Sequence, residues 1–130
     1  MTRFWTDVWS EGRAELLPSL FGPGATENGE ILDIDAFQQA VHRWRSIFPD
    51  FKAEIDEFLP AGDGRVVTRV TYTGTQTRPW AGLPATGKTM RVIGIDIFRV
   101  VDGRIIELWH STDHLEAAIQ LGGRLTPVDG

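Results

Sequence analysis

The hydrophobic pattern of this chain changes from a helical repeat to a two-residue alternation about one third of the way along, and that change limits the folds it can adopt. Before it, Phe37, Val41 and Trp44 share one stripe of a helix, which Pro49 ends. After it, four segments alternate apolar and polar residues as half-buried strands do. These segments are 51–60, 65–74, 88–101 and 104–113. Helices followed by an antiparallel run of strands predict an α+β domain with the helices on one face of the sheet.

The length and charge of the chain restrict its organisation and its partners. A chain of 130 residues can bury one core and is too short for two domains of ordinary size, so we expect one domain over residues 1–130. The net charge of -5, without a cluster of basic side chains, makes nucleic acid an unexpected partner. No segment is apolar enough to span a bilayer or to act as a secretion signal, so we expect a cytoplasmic protein with no membrane partner.

The residue types restrict the chemistry. The absence of cysteine excludes thiolate nucleophiles and cysteine-ligated metals. The three histidines, His42, His110 and His114, lack the spacing of a H-E-x-x-H zinc site, and we expect no metal. Nucleophile elbows, phosphate-binding glycine loops and dinucleotide motifs are absent from the sequence as well. If the protein is an enzyme, we expect acid/base catalysis without a cofactor.

The end of the last predicted strand carries the main candidates for that catalysis. Asp113 lies close to Trp109, where partial burial would raise the pKa of its carboxyl group toward neutrality. The alternative role of Asp113 is to cap the helical segment that follows it. His110 and His114 are either surface residues or members of a proton relay beside Asp113.

The alternation of segment 88–101 predicts which side chains reach the core. Ile93, Ile95 and Ile97 share one face, which we expect to be buried. Gly94 and Asp96 share the opposite face. On that face Asp96 is either solvated or part of a ligand site.

Several large or charged side chains are candidates for ligand contact. The long segment between the second and third strands carries Trp80 and Leu83, which are suited to closing an apolar mouth. Trp44 and Trp109 are suited to form flat aromatic walls of the same cavity. Arg69 either binds a substrate oxygen or forms an ion pair across strands.

Motifs in the second half of the chain resemble a known family. They are "GTQT" at 74–77, "GLPATGK" at 82–88, "IDIFRVVDG" at 95–103 and the Trp109-x3-Asp113 spacing. With "FPDFKAEIDEF" at 48–58, they are similar to the SnoaL-like polyketide cyclases, or ester cyclases, of the nuclear transport factor 2-like superfamily. The resemblance extends over about residues 37–122.

The resemblance implies both a fold and an activity. The fold is a cone, in which a strongly curved antiparallel sheet wraps around the N-terminal helices and encloses an internal apolar pocket. The activity is a cofactor-independent ring closure of a polyketide ester by intramolecular aldol condensation, with Asp113 at the position of the catalytic base. Related epoxide hydrolases need aspartates where Thr71 and Ser111 stand here, so that chemistry is not expected. A related isomerase that transfers protons remains an alternative.

We therefore expect an enzyme for a hydrophobic, carbonyl-bearing small molecule, and the alternative is a non-catalytic binding or dimerisation module. The expected catalytic residues are Asp113 and His110, with His110, Asn28 or Arg69 as the donor to a developing oxyanion. The resemblance also implies a homodimer that pairs through the outer face of the sheet. Depending on the register, that face would include Val70, Tyr72 or Phe98. The expected substrate-binding residues are Asn28, Trp44, Phe48, Arg69, Trp80, Leu83, Asp96 and Trp109.

Overall fold

A curved six-stranded sheet with helices against one face forms the structure, a computed structural model that describes residues 2–124. The helical elements are a π-helix (Phe4–Ser10), a 3-10 turn (Ala14–Leu16), α1 (Leu17–Leu20), α2 (Ile34–Ile47) and α3 (His114–Gln120). The strands are β1 (Phe21–Glu27), β2 (Glu30–Ile31), β3 (Lys52–Gly62), β4 (Arg65–Thr75), β5 (Thr89–Val101) and β6 (Arg104–Thr112). The expected α+β cone with its N-terminal helices is confirmed.

The strands follow the order β2-β1-β6-β5-β4-β3 across the sheet. All neighbours are antiparallel except β1 and β6, which run parallel. The register shifts between Ile55 and Glu57 in β3 and between Arg99 and Val100 in β5. Such bulges bend a strand and increase its twist, and here they contribute to the curvature of the sheet.

Two tight turns set the register of the long strands. Asp63-Gly64 joins β3 to β4, and Asp102-Gly103 joins β5 to β6, with positive φ at both residues of each turn. Two consecutive positive φ values define the type I′ turn, whose twist matches that of an antiparallel hairpin. These turns therefore fix which β5 and β6 side chains lie opposite each other.

Helix α2 is capped as its sequence predicts. The Asp33 side chain accepts a hydrogen bond from the Ala36 N–H at 3.1 Å, and loss of such a cap typically costs about 1 kcal/mol. Phe37, Val41 and Ile47 are buried against the rest of the core. The buried stripe holds α2 beside the inner face of the sheet, where it forms one wall of a pocket.

The two faces of β5 are reversed relative to the expectation. Ile93, Ile95 and Ile97 are 40–51% exposed, whereas Asp96 and Phe98 are at most 1% exposed. The reason is that the helices pack on the face that carries Asp96. Apolar residues at three alternate positions of a strand do not by themselves identify the face that the helices cover.

Gly94 accounts for part of this choice of face. A Cβ atom at Gly94 would lie 2.6 Å from Cε2 of Tyr72, so the absence of a side chain gives the ring its place on the inner face. Val70, Tyr72 and Phe98 are all buried in the core, and none is part of an outer face. No helix among residues 2–124 is long and apolar enough to cross a membrane.

Candidate active site

An apolar pocket of about 460 Å³ lies between the helices and the inner face of the sheet. Eight aromatic rings contribute to its wall, and these are Phe4, Trp5, Trp9, Phe37, Trp44, Phe51, Tyr72 and Trp80. Exposed lining residues mark its opening between α2, the β4–β5 loop and α3, and these are Arg43, Pro79, Ala81 and His114. The volume and flat walls suit a small polycyclic ligand.

A row of polar side chains crosses the inner face of the sheet beside this pocket. Thr68, Asp96 and His110 lie on adjacent strands at directly paired positions of β4, β5 and β6. Glu27 continues the row from β1, and its Oε1 atom is 2.7 Å from Nε2 of His110. His110 lines the pocket, so the row connects a ligand-facing imidazole to two carboxyl groups.

The surroundings of His110 favour its protonated form. The hydrogen bond to Glu27 raises the pKa of His110 above its ordinary value, and the charges of Glu27 and Asp96 act in the same direction. Burial acts in the opposite direction. Because a carboxylate only accepts hydrogen bonds, Nε2 must be the protonated nitrogen of a neutral His110 ring. In that neutral form Nδ1, which makes no hydrogen bond within residues 2–124, carries the lone pair.

The Asp96 carboxyl group is held in an apolar setting. Burial raises the pKa of Asp96 to about 7, against the opposing effects of the His110 charge and the Thr68 hydroxyl. The Thr68 contact is long, at 3.5 Å, and involves Oδ2. Oδ1 is buried and has no hydrogen-bond partner among the described residues. Asp96 is therefore a carboxyl group that exchanges its proton near neutral pH while enclosed by protein.

The β4–β5 loop forms its own hydrogen-bonded unit around Gln76, whose side chain is completely buried. The Gln76 amide donates to the carbonyls of Arg78 and Leu83 at 3.1 and 3.4 Å, and it accepts from the Thr86 hydroxyl at 3.0 Å. Trp80 and Leu83 pair their backbones across the tip of the loop. These contacts hold the Trp80 ring at the pocket opening.

His114 and two tryptophans form the aromatic rim of the opening. The centre of the His114 imidazole lies 5.9 Å from that of the Trp44 ring and 6.1 Å from that of the Trp80 ring, and the centres of the Trp44 and Trp80 rings are 5.4 Å apart. Burial lowers the pKa of His114, and the nearby His110 acts in the same direction. Both effects favour the neutral form of His114.

Asp113 occupies the position of a helix cap. Its carboxylate accepts a hydrogen bond from the Glu116 N–H at 3.1 Å at the start of α3. The residue is exposed and does not line the pocket. Of the two roles weighed for Asp113, the structure places its oxygens in the capping geometry.

Three other expected ligand contacts lie just outside the pocket wall. The Asn28 Oδ1 atom accepts a hydrogen bond from the backbone N–H of His110 at 2.9 Å, so Asn28 holds the strand that carries His110. Phe48 is completely buried behind Trp44, with ring centres 4.8 Å apart. Leu83 supports Trp80 through the backbone pair described above. Trp44 and Trp80 themselves line the pocket.

Two expected ligand contacts lie on the opposite face of the sheet. Arg69 forms ion pairs with Asp56 and Glu57 at 3.3 and 3.0 Å, which is the cross-strand alternative weighed for it. Trp109 is 45% exposed beside Ile97, its partner on β5. The structure does not bring either residue to the pocket.

Sequence reasoning missed Glu27, Trp5 and Trp9. The Glu27 contact joins residues 83 positions apart, and no local pattern indicates it. Trp5 and Trp9 have helical spacing in the N-terminal segment, which was a usable signal for a shared face. The indole nitrogens of both are buried without a hydrogen-bond partner in residues 2–124, although both rings line the pocket. Unpaired buried donors are uncommon and require an explanation.

The carboxyl and imidazole groups near the pocket do not form a metal site. Across residues 2–124, no three His, Asp or Glu side chains are arranged to hold a metal ion. Glu27, Asp96 and His110 form a row rather than a cluster around a common point.

Comparisons with known proteins agree with this architecture. The sequence profile described as "SnoaL-like polyketide cyclase" matches residues 1–121. TsrD from Streptomyces laurentii is 30% identical, with a TM-score of 0.79 and coverage of 92% of this chain and 89% of that one. A candidate polyketide cyclase from Acidithiobacillus ferrooxidans is also 30% identical, with a TM-score of 0.80 and the same coverage. IdmH from Streptomyces antibioticus, another candidate polyketide cyclase, is 27% identical over 90% of this chain and 92% of its own, with a TM-score of 0.78. No curated protein matches the sequence at a significant level.

Proposed function

Because this chain belongs to the SnoaL-like polyketide cyclase family, we propose that it is a cofactor-independent enzyme that moves protons on a hydrophobic, carbonyl-bearing small molecule. The observation that carries the proposal is the 2.7 Å contact between Glu27 and His110 at the wall of an aromatic pocket. A histidine whose far nitrogen is held by a carboxylate is the usual arrangement of a general base. We assign that role to His110 rather than to the capping residue Asp113.

The proposed reaction begins with removal of a proton from the carbon next to a carbonyl group. Nδ1 of His110 takes the proton, and the electron pair of the broken C–H bond moves onto the carbonyl oxygen to form an enolate. Glu27 and Asp96 lie beside the imidazolium that results, and their negative charge stabilises it. In a cyclase the enolate carbon then attacks a second carbonyl of the same molecule, and His110 returns the proton to the new alkoxide. In an isomerase the proton returns to a different carbon.

The pocket supports the oxygen side of this chemistry as well. A developing enolate requires hydrogen-bond donors in a site from which water is excluded. The indole N–H groups of Trp5 and Trp9 lack acceptors within the described residues, and both residues line the pocket, so we propose them as donors to a substrate carbonyl. Because these donors need acceptors and the pocket walls are flat aromatic rings, we propose a substrate with several oxygen atoms on a flat carbon framework.

A test that needs no knowledge of the natural substrate uses 2-tetralone, an apolar bicyclic ketone with exchangeable α-protons. Proton NMR in D₂O would follow the loss of the α-proton signals with the wild-type chain and with H110Q, D113N and the double variant. We expect saturable exchange that is lost in H110Q, because the base is removed. Retention of exchange in H110Q, or its loss in D113N alone, would contradict the assignment of His110. Binding of 2-tetralone without any exchange would instead favour a non-catalytic binding module.

The proposed partner is a second copy of this chain. Ile93, Ile95, Ile97 and Trp109 form an outer apolar patch, each 40–51% exposed, on the face of the sheet that the helices leave open. Contiguous exposed apolar side chains on an uncovered sheet face commonly mark an interface between proteins. Pairing of two identical patches around a two-fold axis would cover both at once.

A further inference from the structure

Basic side chains but no carboxyl groups line the pocket, since Glu27 and Asp96 lie outside its described lining. Although the chain has 18 acidic and 13 basic residues, no Asp or Glu is among the described residues that line the pocket. The titratable cations that do line it are Arg43, His110 and His114. A positive charge at the edge of an apolar pocket, with no carboxylate in the lining, attracts an anionic group of a ligand.

Arg43 is the fixed charge at the opening. It lies on the exposed side of α2, and its side chain makes no hydrogen bond or ion pair within residues 2–124. Burial lowers the pKa of His114 across the opening and so favours its neutral form, whereas the Arg43 guanidinium is always charged. His110 is already paired with Glu27 at the inner wall. Arg43 is therefore the cation whose donors remain available to a ligand.

The contrast with Arg45, two residues along the same helix, shows that this availability is not a general property of α2. Nη1 of Arg45 donates to the backbone carbonyls of Trp9, Ser10 and Phe51 at 2.9, 2.7 and 3.1 Å. Nη2 makes a longer contact with the Pro49 carbonyl at 3.4 Å. The Arg45 side chain therefore holds the N-terminal segment against α2, whereas the Arg43 side chain makes no such hydrogen bonds within residues 2–124.

We infer that the substrate is an aromatic or alicyclic carboxylate whose ring system enters the pocket while its carboxylate stays at the opening on Arg43. A guanidinium presents two parallel N–H donors that match the two oxygens of a carboxylate. The ring system then extends from Arg43 inward, past Trp44 and Trp80, toward His110. This inference rests on the proposed function for its reaction, and it adds a requirement for a negatively charged group on the substrate.

The test compares two ligands that differ in charge and little in shape, 2-naphthoate and 2-naphthamide. Isothermal titration calorimetry would measure both affinities for the wild-type chain, R43Q, H110Q and R104Q at constant pH. Arg104 does not line this pocket, so R104Q makes the same change in net charge without removing the local contact. Thermal melting of each variant would verify that it is folded.

We expect the wild-type chain to bind naphthoate at least about fivefold more tightly than naphthamide, as a partly exposed ion pair allows. The preference should persist in R104Q and H110Q and should disappear in R43Q. Three results would overturn the inference: no naphthoate binding or no preference in the wild-type chain, a preference unchanged in R43Q, or an equal loss in R43Q and R104Q. None of these needs turnover, so a failure here is distinct from a failure of proton exchange by His110.

Discussion

The Nε2 atom of His110 lies 2.7 Å from Oε1 of Glu27, across the parallel junction of β1 and β6. This contact is the largest influence on His110 and raises the pKa of its imidazole. The Asn28 side chain, next to Glu27, accepts from the backbone N–H of His110 at 2.9 Å. A single turn between β1 and β2 therefore holds both the ring and the main chain of the proposed base.

Replacement of Glu27 by Gln should lower the pKa of His110, because an amide keeps a hydrogen bond but removes the negative charge that favours the imidazolium. The measurement is an NMR titration of the His110 ring Cε1–H. E30Q is the matched control, since Glu30 is exposed on β2 and forms no contact with His110. An unchanged titration in E27Q would show that the contact has no energetic effect.

Replacement of Asp96 by Asn should change how stability depends on pH. The pKa of Asp96 is raised to about 7, so between about pH 4 and pH 7 the folded chain holds a proton that the unfolded chain releases. The contribution of this group to stability is therefore full below pH 4 and is lost as pH rises through 7. D96N resembles the protonated form at every pH.

Urea denaturation of wild type and D96N at pH 5 and pH 8 would measure this difference. The free energy of unfolding of D96N minus that of the wild-type chain should be roughly 2–4 kcal/mol larger at pH 8 than at pH 5. A difference between the two proteins that is constant with pH would mean that Asp96 is ionised normally.

Replacement of Asp113 should reveal the strength of its cap. D113A removes the acceptor for the Glu116 N–H and should lower the free energy of unfolding by about 1 kcal/mol. D113N keeps an acceptor, so its loss should be smaller, at about 0.3 kcal/mol. The same pair of substitutions at Asp33, the cap of α2, provides the reference. Equal losses in D113A and D113N would indicate that Asp113 acts through its charge and not as a cap.

Replacement of Ile95 by Lys should dissociate the proposed dimer. Ile95 is 51% exposed at the centre of the outer apolar patch, and two lysines facing each other across a symmetric interface would repel. Light scattering would give the mass of each variant in solution. I31K is the control, because Ile31 is 83% exposed but lies on the edge strand β2. A monomeric wild-type chain would refute the pairing outright.

The sequence predicted those parts of the fold that depend on local chemistry. Asp33 and Pro49 bound α2 because a cap and a proline act within one turn of the chain. The Asp102-Gly103 hairpin was readable because its turn type requires particular residues. Such signals determine where elements begin and end.

The sequence was less informative about which face of each strand is buried and about which residues form the site. Ile93, Ile95 and Ile97 were expected inside because apolar side chains usually gain from burial, yet they share their strand with the inward-facing Phe98 and Gly94. Which face is covered depends on helices that lie far away in sequence. For the same reason His110 was identified as a candidate while Glu27, its partner across 83 positions, was not.

The buried Gln76 side chain binds the β4–β5 loop to itself, and Thr77 joins the start of the loop to the end of α2 through the Ile47 carbonyl. A segment that carries its own scaffold can be transplanted as a unit. Exchange of residues 76–88 between relatives should therefore alter which ligands are admitted without rebuilding the curved sheet beneath.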